Sequence, residues 1–184
     1  MAKTKWSIDS THSEIHFKVK HLMVSWVTGG FNKFNAEIET EGNDTNITKV
    51  HFIADVNSIS TNNEQRDAHL RTADFFDAEN HPQLIFEGDK LEKIDDENYK
   101  LHGVLTMRGN SKKIVLSVEY GGITQDPWGN TRIGFSVSVK INRKDFGVSF
   151  GMVTETGGLL LGDEVTINAN AEFVKQVKVE KQAA

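Results

Sequence analysis

The sequence predicts an all-β fold, and three observations support that prediction. Apolar and polar residues alternate over most of the chain, which gives each strand one apolar face. The turns between these stretches are short, so consecutive strands are expected to be antiparallel neighbours rather than βαβ crossovers. About eight strands can be counted, enough to close an up-and-down barrel with room for one ligand, although a two-sheet sandwich fits the same pattern.

Alternation of apolar and polar residues is found in several separate stretches of the chain. The clearest alternation lies in TRIGFSVSVKINR, where Ile133, Phe135 and Val137 share one face. Turn-forming residues separate the stretches at three places, EGNDTN (41–46), IDDEN (94–98) and DPWGN (126–130). In chain order, the alternating stretches are SEIHFKVKHL (13–22), KVHFIADVNS (49–58), YKLHGVLTMRG (99–109), KKIVLSVEYGG (112–122), TRIGFSVSVKINR (131–143) and EVTINANAEFVK (164–175).

One segment, STNNEQRDAHLRTADFF at 60–76, breaks the alternation. Thr61 followed by Glu64 matches a capping box, in which the hydroxyl and the carboxylate satisfy free backbone N–H groups at a helix start. A short helix of about three turns, inserted between strands at about 62–74, is therefore expected. Phe75 and Phe76 close this helix with a large apolar anchor.

The charged residues of this helix are candidates for chemistry. Side chains three or four positions apart face each other on a helix, whereas Asp67 and His69 are two apart and diverge by about 200 degrees. They cannot act as a dyad without help from outside the helix, and no serine lies in a G-x-S-x-G context. The favoured interpretation of Arg66, Asp67 and His69 is that they hold the helix on the strands, so no catalytic residue is assigned.

Composition limits the remaining classes of function. The 184 residues suit a single domain that spans the chain; 38% of them are apolar, 26% are charged, and the net charge is −5. The basic residues are scattered, which argues against nucleic acid and against anionic membrane surfaces as partners. No apolar stretch is long enough to span a bilayer, so stable membrane insertion is not expected. Without a signal-peptide pattern, the chain is expected to be cytoplasmic as written, or periplasmic if a leader has been removed.

Metal and cofactor sites are not predicted. The chain has no cysteine. His12 and His16 would lie about 13 Å apart on a straight strand, too far apart to share one zinc ion. The glycine pairs match neither a P-loop nor a dinucleotide-binding fingerprint. An enzyme that uses Asp67, His69 or His102 as acid or base remains an alternative.

The apolar residues carry the remaining signal. Eleven phenylalanines and three tryptophans are many for a barrel of this size, and several lie on or near the inward-facing register. They either fill the core or line a cavity that holds an apolar ligand, and composition does not separate the two. A structural or stress-related protein whose barrel is filled by its own side chains is therefore a further alternative.

Four blocks of sequence carry a resemblance to a known family. They are WSIDSTHSEIHFKVKHLMVSWVTGGFNKF (6–34), RDAHLRTADFFDAENHPQLIFEG (66–88), GVLTMRGNSKKIVLSV (103–118) and INRKDFGV (141–148). On these blocks the chain resembles the YceI-like family, the polyisoprenoid-binding, lipocalin-like proteins of bacteria. Arg108 and Ser111 depart from the family pattern. The run Leu159–Leu161 lies in a divergent segment and is hypothesised to gate the cavity mouth.

The resemblance implies an extended eight-stranded antiparallel β-barrel, lipocalin-like, with a long apolar cavity walled by the helix. It implies a non-enzymatic protein that sequesters or transports one amphiphilic lipid, a polyisoprenoid or a fatty-acid derivative. Arg66, Asp67 and His69 become structural ties or contacts to the lipid head group, and a homodimer is compatible with paired strand edges. The residues expected to line the cavity are Phe17, Val19, Trp26, Phe31, Phe34, Phe52, Leu70, Phe75, Phe76, Phe86, Leu105, Phe135, Val137 and Phe146.

Overall fold

The computed structural model describes residues 1–152, 155 and 160–177. Within these ranges the chain forms eleven β-strands and one α-helix. Their bounds are β1 Lys3–Ile8, β2 Glu14–His21, β3 Ser25–Phe31, β4 Phe34–Glu41, β5 Ile47–Asp55, β6 Ile59–Ser60, α1 Glu64–Leu70, β7 Gln83–Lys93, β8 Asn98–Met107, β9 Asn110–Gln125, β10 Thr131–Asn142 and β11 Leu161–Lys175.

The strands form a closed antiparallel barrel with eight positions around the ring. Each of the pairs β1–β2, β3–β4 and β5–β6 occupies one position, because a short break divides a single long strand into two segments. β1 and β2, for example, both pair with β11 and are separated by the 3-10 turn Ser10–His12. The pairing of β1 with β11 closes the ring. The eight-stranded barrel is thus confirmed, and the two-sheet sandwich is excluded.

The alternation in the sequence becomes an inward and an outward face. Val139 of β10 lies opposite Ile167 of β11, which in turn lies opposite Phe17 of β2, and all three point into the barrel. Their sequence neighbours Ser138 and Lys140 are exposed on the outer face. Because the side-chain period of a strand is two, this register places nearly every apolar residue of β10 and β11 inside.

A cluster around Trp6 closes one end of the barrel. The Trp6 side chain is fully buried, and its Nε1–H donates a hydrogen bond to Oγ1 of the buried Thr40 at 3.1 Å. This pairing satisfies the polar atom that a buried indole carries into an apolar core. The buried residues packed around Trp6 are Ala36, Ile38, Ile47, Ile133 and Phe173.

The helix is shorter than predicted, and its cap differs. α1 spans Glu64–Leu70, and its N-cap is Asn63, whose Oδ1 accepts a hydrogen bond from the Arg66 N–H at 2.9 Å. The expected capping box of Thr61 with Glu64 is wrong, because Thr61 directs its hydroxyl to Asp67 instead. After Leu70 the chain tightens into turns. No helix among the described residues has the length and apolarity needed to cross a bilayer.

Removing the Trp6 side chain is expected to destabilise the fold strongly. Trp6→Ala should lower the free energy of unfolding by about 3–5 kcal/mol, because it leaves a cavity and deprives Thr40 of its partner. Trp128→Ala is the matched control, since Trp128 is 81% exposed in the turn between β9 and β10. Urea unfolding followed by circular dichroism measures the stability of both variants. Equal losses of unfolding free energy would show that Trp6 does not stabilise the closed end of the barrel.

Candidate functional site

An apolar cavity of about 520 Å³ runs through the interior of the barrel. That volume lies within the range of about 300–1,000 Å³ that is typical of small-molecule sites. The cavity extends from Ile38 and Ile47, which belong to the Trp6 cluster, to Phe75 and Phe150 near the helix. Its lining is almost entirely aliphatic and aromatic, so the interior can accept a long apolar chain and offers few polar groups along the way.

Inward-facing side chains in the middle of the barrel keep part of their surface exposed. Phe17, Val139 and Ile167 point inward but are only half-buried, unlike Trp6 at the closed end. In a barrel filled by its own side chains, such residues would be fully buried at the packing density of protein interiors. The described residues therefore leave the middle of the barrel open.

Most of the apolar residues expected from the sequence lie along this cavity. Twelve of the fourteen are on its wall: Phe17, Val19, Phe31, Phe34, Phe52, Leu70, Phe75, Phe76, Phe86, Leu105, Phe135 and Val137. Phe31 contacts both Phe17 and Phe76, with ring centroids 6.0 and 6.2 Å apart, and this joins the barrel wall to the segment after α1.

Two expected lining residues lie elsewhere. Trp26 is 47% exposed on the outer face of β3, and its neighbour Val27 faces the cavity instead. The residue-type argument favoured the tryptophan, but the register of β3 decides the face. Phe146 is almost fully buried, yet it belongs to the 3-10 turn Arg143–Phe146 after β10 and packs in the core without reaching the cavity.

The polar residues of α1 divide into two groups. Arg66 and His69 border the cavity, whereas Asp67 does not. Asp67 is buried, and its Oδ1 accepts hydrogen bonds from the N–H of Thr61 at 2.8 Å and from the Thr61 hydroxyl. It therefore ties the helix to the chain that follows β6, as expected for a structural residue.

Arg66 reaches the same threonine from the cavity side. Its Nε donates to Oγ1 of Thr61 and its Nη2 to the Thr61 carbonyl, both at 2.7 Å. Within the described residues, Nη1 forms no hydrogen bond. The guanidinium is thus held in place by two bonds while keeping donor capacity at the edge of the cavity.

His69 lies in an aromatic group at the same end. Its ring meets Phe75 and Phe150 edge-on, with centroids 5.0 and 5.2 Å apart, and its Nε2 lies 2.8 Å from Oδ2 of Asp74. Asp67 and His69 therefore have different partners and do not act on one another. His102, the other histidine considered for acid–base chemistry, pairs with Glu92 at 2.9 Å and does not line the cavity.

Arg143 borders the cavity and was not anticipated from the sequence. It is 4% exposed and donates hydrogen bonds to the carbonyls of Gly162, Val148 and Phe150 at 2.7–2.9 Å. Burial lowers its pKa, and the nearby Asp163 partly opposes that shift. The run INRKDFGV contains this residue, but no local pattern marks a buried arginine, because the path of the chain after β10 brings the carbonyls of Val148 and Phe150 to it and β11 adds that of Gly162.

The contacts of the β8–β9 hairpin and of the leucine run are seen only in the structure. Arg108 lies in the turn of this hairpin, where its Nη2 donates to the carbonyl of Ala73 at 2.7 Å and its Nη1 to that of Gly147 at 3.0 Å. It links the segment after α1 to the turn after β10. Of the run Leu159–Leu161, Leu160 and Leu161 line the cavity, and Leu159 lies outside the described residues.

A cluster of possible metal ligands lies apart from the cavity end that carries α1. Asp9, His12 and Glu172 come together, but Nη1 of Arg132 lies 2.8 Å from Asp9 and 2.6 Å from Glu172. The guanidinium already forms ion pairs with both carboxylates. Hydrogen bonds from Thr11 and Arg132 hold the pKa of Asp9 well below its usual range, and Arg132 lowers the pKa of Asp126 to about 2. The cluster is therefore interpreted as a structural ion-pair network.

Comparisons with known proteins agree with this architecture. A sequence model of the YceI-like domain matches residues 6–173. A UPF0312 protein of Staphylococcus epidermidis is 39% identical over 171 residues, which cover 92% of this chain and 97% of that protein. The YceI protein of Campylobacter jejuni, a solved structure, is 37% identical with a TM-score of 0.75, and the match covers 86% of this chain and 90% of that one.

A more distant structure shares the fold alone. A polyisoprenoid binding domain from Saccharophagus degradans superimposes with a TM-score of 0.72 over 93% of this chain and 98% of that one, at 13% identity.

The Arg132 network is expected to make stability depend on acid pH. Asp126 stays charged in the folded protein down to about pH 2, whereas its ordinary pKa is 3.8. Its stabilising contribution is therefore complete above about pH 4 and is lost as the pH falls through about 2. Arg132→Met should lower stability most at neutral pH, and its difference from the unaltered protein should shrink across this window.

Urea unfolding midpoints measured between neutral and acid pH test this expectation. Lys140→Met is the control, because Lys140 and Glu164 form an exposed surface pair at 3.7 Å that contributes little. A constant difference between Arg132→Met and the unaltered protein at every pH would show that the network does not act through these carboxylates.

Proposed function

The chain belongs to the YceI-like family, and on that premise we propose that its cavity binds one amphiphilic lipid, a polyisoprenoid or a fatty-acyl chain, and sequesters or transports it unchanged. The observation that supports this proposal most directly is the open interior, where inward apolar side chains such as Val139 and Ile167 remain half-buried. A polyisoprenoid binding domain of the same fold is consistent with it.

Burial of the apolar chain supplies the binding free energy. Each methylene removed from water contributes about 0.8 kcal/mol, and a dry cavity offers this along its whole length. For a lipid of about 30 heavy atoms, about 0.3 kcal/mol per atom amounts to about 9 kcal/mol, which corresponds to sub-micromolar affinity. A ligand held in this way needs no covalent step and no cofactor.

The two ends of the cavity differ, and the difference sets the orientation of the lipid. The Trp6 cluster is apolar and closed, so it receives the end of the hydrocarbon chain. Arg66 and His69 border the other end and contact the head group, while Asp67 serves only as a tie. A small number of polar groups that fix orientation at one end is the usual design of an apolar ligand site.

The first test is to extract the purified protein with organic solvent and identify the released lipid beside an intact native mass. One amphiphile per protein molecule is expected. Val139→Trp should lose it, because the indole fills the middle of the cavity, whereas Ser138→Trp places the same side chain on the outer face and should retain it.

Circular dichroism and urea unfolding of both variants separate a blocked cavity from a misfolded barrel, and Val139→Phe serves if Val139→Trp does not fold. An empty protein that also takes up neither prenols nor fatty acids would overturn the binding proposal. Conversion of the bound lipid into a product on incubation would overturn the claim that it is carried unchanged.

The head-group assignment gives a separate prediction. Arg66→Gln should weaken binding of a fatty acid about tenfold or more, because one charge-assisted hydrogen bond is lost, and should leave binding of the matching fatty alcohol nearly unchanged. Arg71→Gln is the matched control, since Arg71 donates to the Asn57 carbonyl and does not border the cavity. Displacement of a fluorescent fatty acid measures both affinities. Equal losses for acid and alcohol would mean that Arg66 only holds the helix.

A further inference from the structure

The tip of the β2–β3 hairpin exposes an unusual concentration of apolar surface. Leu22, Met23, Val24 and Trp26 are between 41% and 81% exposed. These four lie within five consecutive residues, whereas most other exposed apolar side chains of the described chain are scattered. Isolated exposed apolar residues are ordinary, but a contiguous group marks an interaction surface. We call residues 22–26 the hairpin tip.

The backbone of the hairpin tip makes its apolar residues more notable. Leu22 and Met23 both have positive φ, 51° and 59°, and the Val24 N–H donates to the His21 carbonyl at 3.1 Å. Positive φ at both central positions is the signature of a type I′ turn, for which Asn-Gly is the preferred sequence. Two large apolar residues therefore occupy positions where smaller polar residues would cause less backbone strain and would favour solubility of the protein.

Two lysines flank this surface. Nζ of Lys18 and Nζ of Lys20 lie 4.8 and 4.4 Å from the centre of the Trp26 ring. Neither forms an ion pair within the described part of the chain. On the adjacent β11, Asp163 pairs with Lys144 and Glu164 with Lys140. A protein with a net charge of −5 thus presents a local cationic and aromatic surface.

The hairpin tip adjoins the mouth of the cavity. His21 and Val27, which flank the tip in sequence, both line the cavity. The Leu22 N–H donates a hydrogen bond to the carbonyl of Leu160 at 2.9 Å. The Leu160 N–H donates in turn to the carbonyl of Met152. Met152 also borders the cavity and is 58% exposed, so apolar surface continues from the tip to the opening.

From these observations we propose that the hairpin tip docks the protein on a bilayer surface that carries anionic lipids, with the cavity mouth against the membrane. The tip inserts its apolar side chains among the acyl chains. Trp26 lies at the level of the head groups, where indole rings are enriched, and Lys18 and Lys20 contact the anionic groups. A lipid could then enter or leave the cavity without crossing water, a consequence that rests on the proposed lipid-binding function.

A bilayer suits this surface better than a second copy of the chain. A stable dimer buries about 800 Å² on each partner, more than the tip of one hairpin offers. Basic residues are scattered in the sequence, but the fold brings Lys18 and Lys20 together over the Trp26 ring, and this creates a local surface that suits anionic lipids. Docking of this kind is peripheral and involves no membrane-spanning segment.

Co-sedimentation with vesicles tests the docking directly. The probes are vesicles of phosphatidylcholine mixed with phosphatidylglycerol, and vesicles of phosphatidylcholine alone. The full chain is expected to bind the mixed vesicles more tightly, and added salt should weaken that binding. Leu22→Asn/Met23→Gly should reduce it roughly tenfold or more, because apolar surface is lost while the turn acquires its preferred sequence and stays folded.

Further variants make the test specific. Lys18→Gln/Lys20→Gln should remove the preference for mixed vesicles, and Trp128→Ser, at the opposite end of the barrel, should change nothing. Unaltered binding by Leu22→Asn/Met23→Gly, or no vesicle binding by the full chain, would overturn the proposal. A dimer in solution that dissociates in this variant would also overturn the proposal, because the hairpin tip would then mediate self-association. Vesicle binding is measured whether or not lipid is bound, so its failure is distinguishable from failure of the lipid-binding proposal.

Discussion

Closure of the strand ring is the constraint on which the rest of this structure depends. Once β1 pairs with β11, every inward side chain of the described strands faces one common space, and no edge remains around the ring at that point. Eight strands give an interior that side chains can either just fill or leave open for a single ligand. Here they fill one end, around Trp6, and leave the middle open. The closed ring contains a cavity, and not only a packed core, because the inward side chains do not fill the whole interior.

The charged residues near the cavity act mainly on backbone. Arg143 donates to three carbonyls, and Arg108 and Arg66 each bind carbonyls of segments that do not belong to the regular strands. Such segments have backbone groups that no strand ladder satisfies, and buried unpaired groups are costly. Arginine suits this role because its planar head offers several donors in fixed directions. The polar chemistry thus holds the covering segments in place, while the interior stays apolar.

The two ends of the barrel consequently differ in character. At one end the Trp6 cluster and the Arg132 network close the structure with a buried indole and paired charges. The other carries α1, the aromatic group around His69 and the exposed hairpin tip. This asymmetry gives the cavity a direction, from an apolar closed base to a mouth bordered by a few polar groups. The same direction would orient a bound lipid with its hydrocarbon end at the base and would turn the mouth toward a membrane surface.

The sequence by itself determined the faces of the strands and the place of the helix between them. Alternation in β10 predicted that Val137 points inward, and the closed barrel agrees. Period two is a local property, so it needs no knowledge of the fold. It also explains why nine of the expected apolar residues line the cavity from strands, whereas Leu70, Phe75 and Phe76 reach the cavity from α1 and the turns after it.

Only the tertiary structure decided the points that depend on distant partners. Thr61 could have capped the helix with Glu64, but Asp67 offers its hydroxyl a buried acceptor. Trp26 lies outside because the pairing of β3 with β2 sets its face, and Phe146 packs away from the cavity because the chain turns after β10. Arg143 is buried where the turn after β10 and the start of β11 bring the carbonyls of Val148, Phe150 and Gly162 around its guanidinium. Whether the interior is filled or open depends on the total volume of the inward side chains from all eight positions of the ring. No local sequence pattern encodes that total, because it depends on which side chains meet in the folded barrel.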